Sequence, residues 1–302
     1  MQRLAIYLFS LALTFGGYAA RAAGDSKAAE LLAQARAALG GDAKLAKVQG
    51  LSASGTYQRE VGDRQLSGDL TIDLQLPDKM VRTDTMNPVG DATIVMLQGI
   101  NGDQVLRNSR TIGGGPGMVF RIAQPPAGSD AEGQALRNAR AELVRFALAF
   151  LLTAPSSTPV ELTYSGEAEA DNEKADIIDA RGQGSLAAQI FLDKKSHRPL
   201  MLQYRGAAPR VVMQTQTMRA DGPPDPNRAQ HAADEAAGRA AQQMPPPQIV
   251  DIQMFLDDYQ PVDGILLPHH ISRSIDGKPS EEWTFKTIKV NPTFKPDTFS
   301  GK

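Results

Sequence analysis

The chain of 302 residues has no cysteine, only four histidines and one tryptophan. Without cysteine there can be no disulfide, no thiol nucleophile, no thiolate metal site and no lipid-modified N-terminal cysteine. None of this argues against export, because a core of sufficient size does not need a disulfide. The histidines offer no metal site either. His269 and His270 are adjacent in a strand-like stretch, so they point to opposite faces and cannot hold one ion together. His197 falls in a turn, and His231 in a proline- and alanine-rich stretch, both of them surface contexts. No Gly-x-Ser-x-Gly elbow and no His-Glu-x-x-His pair is present. The run Gly113-Gly114-Gly115-Pro116-Gly117 is rich in glycine but lacks the Lys-Ser/Thr ending of a phosphate loop. The neighbours Asp257-Asp258 and Glu281-Glu282 face opposite ways along their strands and read as solvated charges, not as an acid/base dyad. The expectation is a non-enzymatic protein with no catalytic residue, no metal and no cofactor.

Charge excess is lacking too. There are 32 basic and 34 acidic residues, a net charge of −2, and no basic run, so there is no electrostatic reason to bind nucleic acid. Long apolar runs are confined to the start. Arg3 precedes an uncharged stretch from Leu4 to Tyr18, and Ala20-Arg21-Ala22 follows. A basic start, a short apolar run and an Ala-x-Ala exit are the parts of a secretory signal peptide. A spanning helix needs about 20 apolar residues, more than this stretch supplies. Residues 1–22 are therefore expected to be removed after Ala22, which moves the net charge to −4 by loss of Arg3 and Arg21. No later segment is apolar for long enough to cross a membrane, so an integral membrane protein is not expected.

What is abundant is alternation. An opening helix, with Asp25 or Ser26 as its cap, is expected over Ala28–Leu39 and is stopped by Gly40-Gly41; a short turn follows at Asp42–Val48. From Leu51 the apolar period becomes two, with Leu66, Leu70, Ile72, Leu74 and Leu76 set against Ser67, Asp69, Thr71, Asp73 and Gln75. Further strands are expected at Lys79–Met86, Thr93–Leu97, Asp103–Asn108, Val160–Ala168, Ala175–Arg181, Ala187–Asp193, Pro199–Tyr204, Arg210–Met218, Ile249–Tyr259, Ile265–Ile275 and Glu281–Val290. Asn101-Gly102, Val262-Asp263-Gly264 and Asp276-Gly277-Lys278 supply hairpin turns. One helix interrupts them, about Glu132 to Leu152, and its second half from Leu143 is apolar nearly all round. Residues 221–247, with Pro223-Pro224-Asp225-Pro226 and Pro245-Pro246-Pro247, read as a disordered insertion. About ten strands, two substantial helices and no βαβ alternation predict a mainly β (α+β) domain over 23–302. Its expected form is a single curved antiparallel sheet, or incomplete β-barrel, with helices on the concave face.

One set of side chains falls on the apolar side of these strands: Leu70, Ile72, Leu74, Ile94, Met96, Ile190, Leu192, Met254, Leu256, Ile265, Leu267, Trp283 and Phe285. They fit an ordinary core beneath a helix. They also fit an apolar cavity roofed by the helix that carries Leu143, Phe146 and Phe150. Ten methionines suit an adaptable apolar surface.

The order of elements resembles a known family. A helix with a Gly-Gly exit is followed by Leu76-Pro77-Asp78-Lys79-Met80-Val81-Arg82 and a strand ending in Gly99-Ile100-Asn101-Gly102. After the mid-chain helix come Phe191-Leu192-Asp193-Lys194-Lys195-Ser196-His197-Arg198-Pro199, then Asp258-Tyr259-Gln260-Pro261-Val262-Asp263-Gly264-Ile265-Leu266-Leu267-Pro268, Glu282-Trp283 and Val290-Asn291-Pro292. This pattern resembles the LolA/LolB-like superfamily, the outer-membrane lipoprotein carriers and their relatives. The resemblance implies an incomplete barrel with a concave apolar face, helices acting as a lid, and a periplasmic location. It implies as partners a lipid, or the acyl chains of a lipoprotein, carried in the cavity. It also leaves open a regulatory module that senses lipid or engages another envelope protein without carrying anything.

Overall fold

The structure, a computed structural model, describes residues 19–61, 64–87, 92–113, 129–170, 173–184, 186–208 and 248–301. Helix α1 spans Ala19–Ala38 and the single turn α2 spans Asp42–Leu45. Five strands follow, β1 (Gly50–Val61), β2 (Arg64–Gln75), β3 (Lys79–Met86), β4 (Thr93–Asn101) and β5 (Gln104–Ile112). After helix α3 (Ser129–Leu151) come β6 (Val160–Ala170), β7 (Glu173–Gly182), β8 (Ala187–Asp193) and β9 (Pro199–Ala207). The last strands are β10 (Ile249–Val262), β11 (Ile265–Ile275) and β12 (Lys278–Val290).

All twelve strands form one antiparallel sheet in the order β5-β4-β3-β2-β1-β12-β11-β10-β9-β8-β7-β6. Two meanders, β1–β5 and β6–β12, are zipped together where β1 pairs with β12. The sheet is curved and does not close, leaving β5 and β6 as its edges. Those two edge strands are the ones α3 connects in sequence. The helix therefore crosses from one side of the sheet to the other, touching β4 and β5 on one flank and β9 on the other, while α1 lies against β6. Period-two side chains of the strands meet the buried stripes of both helices in one continuous apolar core. A smaller cluster around Ile177, Phe191 and Met201 lies on the opposite face.

Local chemistry explains the ends of these elements. Gly41 donates its N–H to the Arg36 carbonyl and Gly40 to that of Ala37, the paired bonds of a Schellman stop. Gly40 adopts φ 123°, and a Cβ there would stand 2.5 Å from the Gly264 carbonyl oxygen. Only glycine lets the end of α1 approach the β10–β11 turn this closely. Asp263-Gly264 and Asp276-Gly277 both have positive φ at each residue, as two-residue hairpins of the primed type require.

The structure corrects several expectations. Twelve strands are present among the described residues, against about ten expected, and one of the additional strands arises because the alternating region after Leu51 folds into two, β1 and β2. α1 begins at Ala19, so Asp25 and Ser26 lie inside it and neither caps it; the Ala19-Ala20-Arg21-Ala22-Ala23 stretch is itself strongly helix-forming. α3 starts at Ser129, three residues early. The β4–β5 loop is Gly102-Asp103, since Asn101 is still paired with Gln104; Gly102 at φ 60° takes the first loop position of a type II′ turn. The apolar run Leu4–Tyr18, the strand expected at Arg210–Met218 and the insertion at 221–247 lie outside the described residues.

Asn291, just after β12, clamps the start of β1. Its Oδ1 accepts from the Gln49 and Gly50 backbone N–H groups at 2.6 and 3.2 Å, and its Nδ2 donates to the Lys47 carbonyl at 3.0 Å. It does so at φ 49°, a region asparagine tolerates better than most residues. Asn291→Ala is expected to cost about 1–3 kcal/mol, through orphaned backbone groups and left-handed strain. Chemical denaturation of parent and variant measures the loss.

Candidate ligand-binding face

The concave face has an apolar part and a charged end. The apolar part gathers every cavity residue expected from the sequence. Leu70, Ile72, Leu74, Ile94, Ile190, Leu192, Met254, Leu256, Ile265, Leu267, Trp283 and Phe285 are all buried in the one core, and Met96 is half-buried against it. Leu143, Phe146 and Phe150 of α3 belong to the same cluster. Phe146 and Phe150 stack at 4.2 Å between ring centroids, Phe150 meets Phe285 edge-on at 6.1 Å, and Phe285 meets Trp283 at 6.3 Å. This ladder of rings runs from the helix to the sheet in geometries that aromatic quadrupoles favour. The end of α3 is tied down by Arg36 of α1, whose Nη2 and Nε donate to the Leu152 carbonyl at 2.6 and 3.2 Å.

Beyond Trp283 the same face turns ionic. Pairing across β3, β2, β1, β12 and β11 puts Arg82 and Asp84, Tyr57 and Arg59, Glu281 and Trp283, and Arg273 on the helix-facing side. Glu281 is the hub. Its Oε1 accepts from Arg59 Nη2 and Arg82 Nη2, each at 2.6 Å, and its Oε2 accepts from Arg273 Nη1 at 3.2 Å. Asp84 accepts from Arg82 Nε at 2.7 Å and Arg59 Nη2 at 3.1 Å. Arg273 Nη2 donates to the Tyr204 hydroxyl at 3.0 Å. Arg145 of α3 stacks its guanidinium 3.8 Å above the Tyr204 ring, and Arg82 lies 4.8 Å from the centroid of Trp283.

Burial alone would push the Glu281 carboxyl upward, but Arg82, Arg59 and Arg273 outweigh it and hold the group well below the usual carboxylate range. Tyr57 is pushed up to about 12, first by burial and then by Asp84, so its hydroxyl keeps its proton. Reading the pair Glu281-Glu282 as solvated charges is therefore wrong for Glu281, which is only 6% exposed. The reason is parity: Glu281 shares a face with Trp283 and Phe285, and the strand carries it inward. Arg82 in step with Met80, and Arg273 in step with Ile271, give the same signal of a charge at a core position. His269 is buried with Nδ1 3.0 Å from the Leu267 carbonyl oxygen, whereas its neighbour His270 is half-buried. His197 sits in the β8–β9 turn at φ 58°, and His231 lies outside the described residues.

Because the Glu281 pKa is lowered by folding, its contribution is present above the unfolded carboxylate value of 4.5 and is lost as pH falls toward the folded one. Glu281→Gln is expected to destabilise by about 3–5 kcal/mol at neutral pH, since three arginines lose their common counter-charge. The loss should shrink as pH drops below 4.5, where the parent begins to lose the same contribution. Urea midpoints across that range measure both effects.

No family model matches the chain and no curated protein matches it in sequence. Solved structures do match along most of its length. A LolA superfamily protein from Nitrosomonas europaea aligns over 90% of this chain and 96% of its own, at 8% identity and a TM-score of 0.46. A DUF1329 family protein from Desulfovibrio piger aligns over 90% and 96%, at 9% identity and 0.45. An outer membrane lipoprotein-sorting protein domain from Vibrio parahaemolyticus aligns over 91% and 97%, at 9% identity and 0.44. Each of these is a remote backbone likeness and says nothing of this chain's ligand.

Proposed function

We propose that this is a periplasmic protein that binds an acyl chain, as a lipid or as the lipid part of a lipoprotein, on the apolar concave face beneath α3. The observation that carries this reading is the placement of α3. The covering layer of an open sheet is usually a set of helices packed on it as permanently as the strands pair. Here α3, one of two helices on this face, is strung between the two free edges, and every residue from Leu143 to Phe150 except Arg145 is apolar. The face that α3 covers is continuous from Ile94 to Ile190, with no charged residue along the Phe146–Phe150–Phe285 ladder. Each methylene moved from water to such a surface gains about 0.8 kcal/mol, so a chain of roughly a dozen carbons can offset displacement of much of the helix contact.

Three outcomes are expected. Protein purified from the cell envelope should begin at Ala23, and N-terminal sequencing that read Met1 would remove the periplasmic assignment. The same protein should carry co-purifying lipid detectable by mass spectrometry and, once delipidated, bind an apolar fluorescent probe. Arg36→Ala, which unties Leu152, is expected to speed probe entry while leaving the sheet folded by circular dichroism. Absence of both lipid and probe binding would mean a closed core, and the protein would then act through its outer surface.

A further inference from the structure

Five buried side-chain polar atoms have no hydrogen-bond partner among the described residues, and four of them belong to the ionic end of the concave face. They are the Tyr57 hydroxyl, Trp283 Nε1, Arg145 Nε and Arg273 Nε. Three are N–H groups that can only donate, and the fourth is a hydroxyl that can donate as readily as accept. Trp283 and Tyr57 are 2% and 0% exposed. Leaving such groups unpaired in the interior is unfavourable, and their concentration in one place is unusual, because native interiors pair nearly all their buried polar groups. Every member of the set can donate, so the missing complement is a group rich in acceptors.

Charge points the same way. Among the described residues, Arg59, Arg82 and Arg273 pair with two carboxylates, Asp84 and Glu281, and Arg273 shares the field of a third, Glu142, with Arg145, which leaves four guanidinium groups against three carboxylates. Among the described residues Arg145 has only the partly exposed Glu142, at 4.0 Å, as an ionic partner. Buried cations are normally paired. The cluster adjoins the apolar face directly, since Trp283 belongs to both: its ring meets Phe285 on one side and the guanidinium groups of Arg82 and Arg273 on the other.

We infer that this cluster is the headgroup subsite for an anionic amphiphile, whose carboxylate or phosphate takes the free donors of Tyr57, Trp283, Arg145 and Arg273 while its chain lies along the Phe285–Phe150–Phe146 ladder. The inference rests on the reading of the concave face as an acyl-chain site and narrows it to ligands with an acidic end. Because Arg145 and the ladder phenylalanines Phe146 and Phe150 are on α3, the same helix contacts both ends of the ligand. A neutral chain would leave the donors unpaired. An acid relieves them and neutralises the excess arginine charge in one step.

The test compares dodecanoate, dodecanol and inorganic phosphate on delipidated full-length processed protein, by isothermal titration and by displacement of the apolar probe. Dodecanoate is expected to bind about tenfold or more tightly than dodecanol, the effect of one added charge-assisted hydrogen bond. Phosphate without a chain should not displace the probe. Tyr57→Phe and Arg145→Gln should each lower affinity for the acid by several-fold, roughly the worth of one hydrogen bond, and leave that for the alcohol unchanged. Tyr57→Phe removes only an unpartnered hydroxyl and so should fold with undiminished stability, whereas a purely structural role would alter binding of both ligands together. Equal affinity for acid and alcohol would overturn the headgroup subsite and leave the acyl-chain reading standing. Failure of both to bind would remove that reading and the subsite with it. Phosphate binding as tightly as dodecanoate would make the cluster a free-anion site and overturn the amphiphile.

Discussion

Pairing of the first strand with the last is the constraint on which the rest of this molecule depends. β1 and β12 are more than two hundred residues apart in sequence, yet their register runs from Leu51↔Val290 to Arg59↔Glu281. Without that seam there would be two separate meanders, each with an apolar face too narrow to cover. With it, the faces merge into one concave surface and the edges that remain, β5 and β6, are the two that α3 joins. The seam is reinforced at both ends. Asn291 clasps the backbone around Gly50, and Glu281 grips Arg59 across the strands while drawing in Arg82 and Arg273.

That ionic grip is a costly way to hold a sheet. Taking three guanidinium groups and two carboxylates out of water costs several kcal/mol per ion, and well-packed apolar residues of similar size would often serve stability as well or better. The shape of the cluster is informative in that light. Its bonds are not evenly distributed. Glu281 and Asp84 are saturated with donors, while Arg273, Arg145, Trp283 and Tyr57 each keep an atom unmatched. A network built only to lock β1 onto β12 would gain nothing from Arg145, which arrives from the helix and stacks on Tyr204. Stability accounts for the pairs around Glu281; it does not account for the spare donors.

Much of the architecture was legible in the sequence because it is written in short-range periodicity. Alternation placed Leu70, Ile72 and Leu74 on one side of β2, and the same parity placed Ile190 with Leu192 and Trp283 with Phe285. All of them converge in the core. Turn chemistry fixed the hairpins at Asp263-Gly264 and Asp276-Gly277, although at Gly102 it misjudged by one residue which pair closes the loop. The ionic cluster was not legible in the same way. Its partners lie 199 and 222 residues apart, so no window contains them together, and Glu281 beside Glu282 reads as an ordinary exposed pair. The signal was present only as a violation: Arg82, Arg273 and Glu281 occupy phases reserved for apolar side chains. Such violations gain meaning when strand order brings several of them to one spot.

Strand order does so here at the boundary between the greasy and the charged parts of one surface. The rows of a sheet run perpendicular to its strands, so a feature shared by successive strands becomes a band across the whole face. One row carries Arg59, Glu281 and Arg273, and the Arg82 side chain reaches Glu281 from the row of Ile72. The rows beside it carry Tyr57 with Trp283 and then Leu70, Gly55 and Phe285. Along β1, β12 and β11 polarity thus changes within a few residues, and α3 also carries both kinds of side chain, Glu142 and Arg145 beside Phe146 and Phe150. Sheet and helix thus carry charged and apolar residues on the one face they share, with Arg145 over Tyr204 and Phe150 against Phe285.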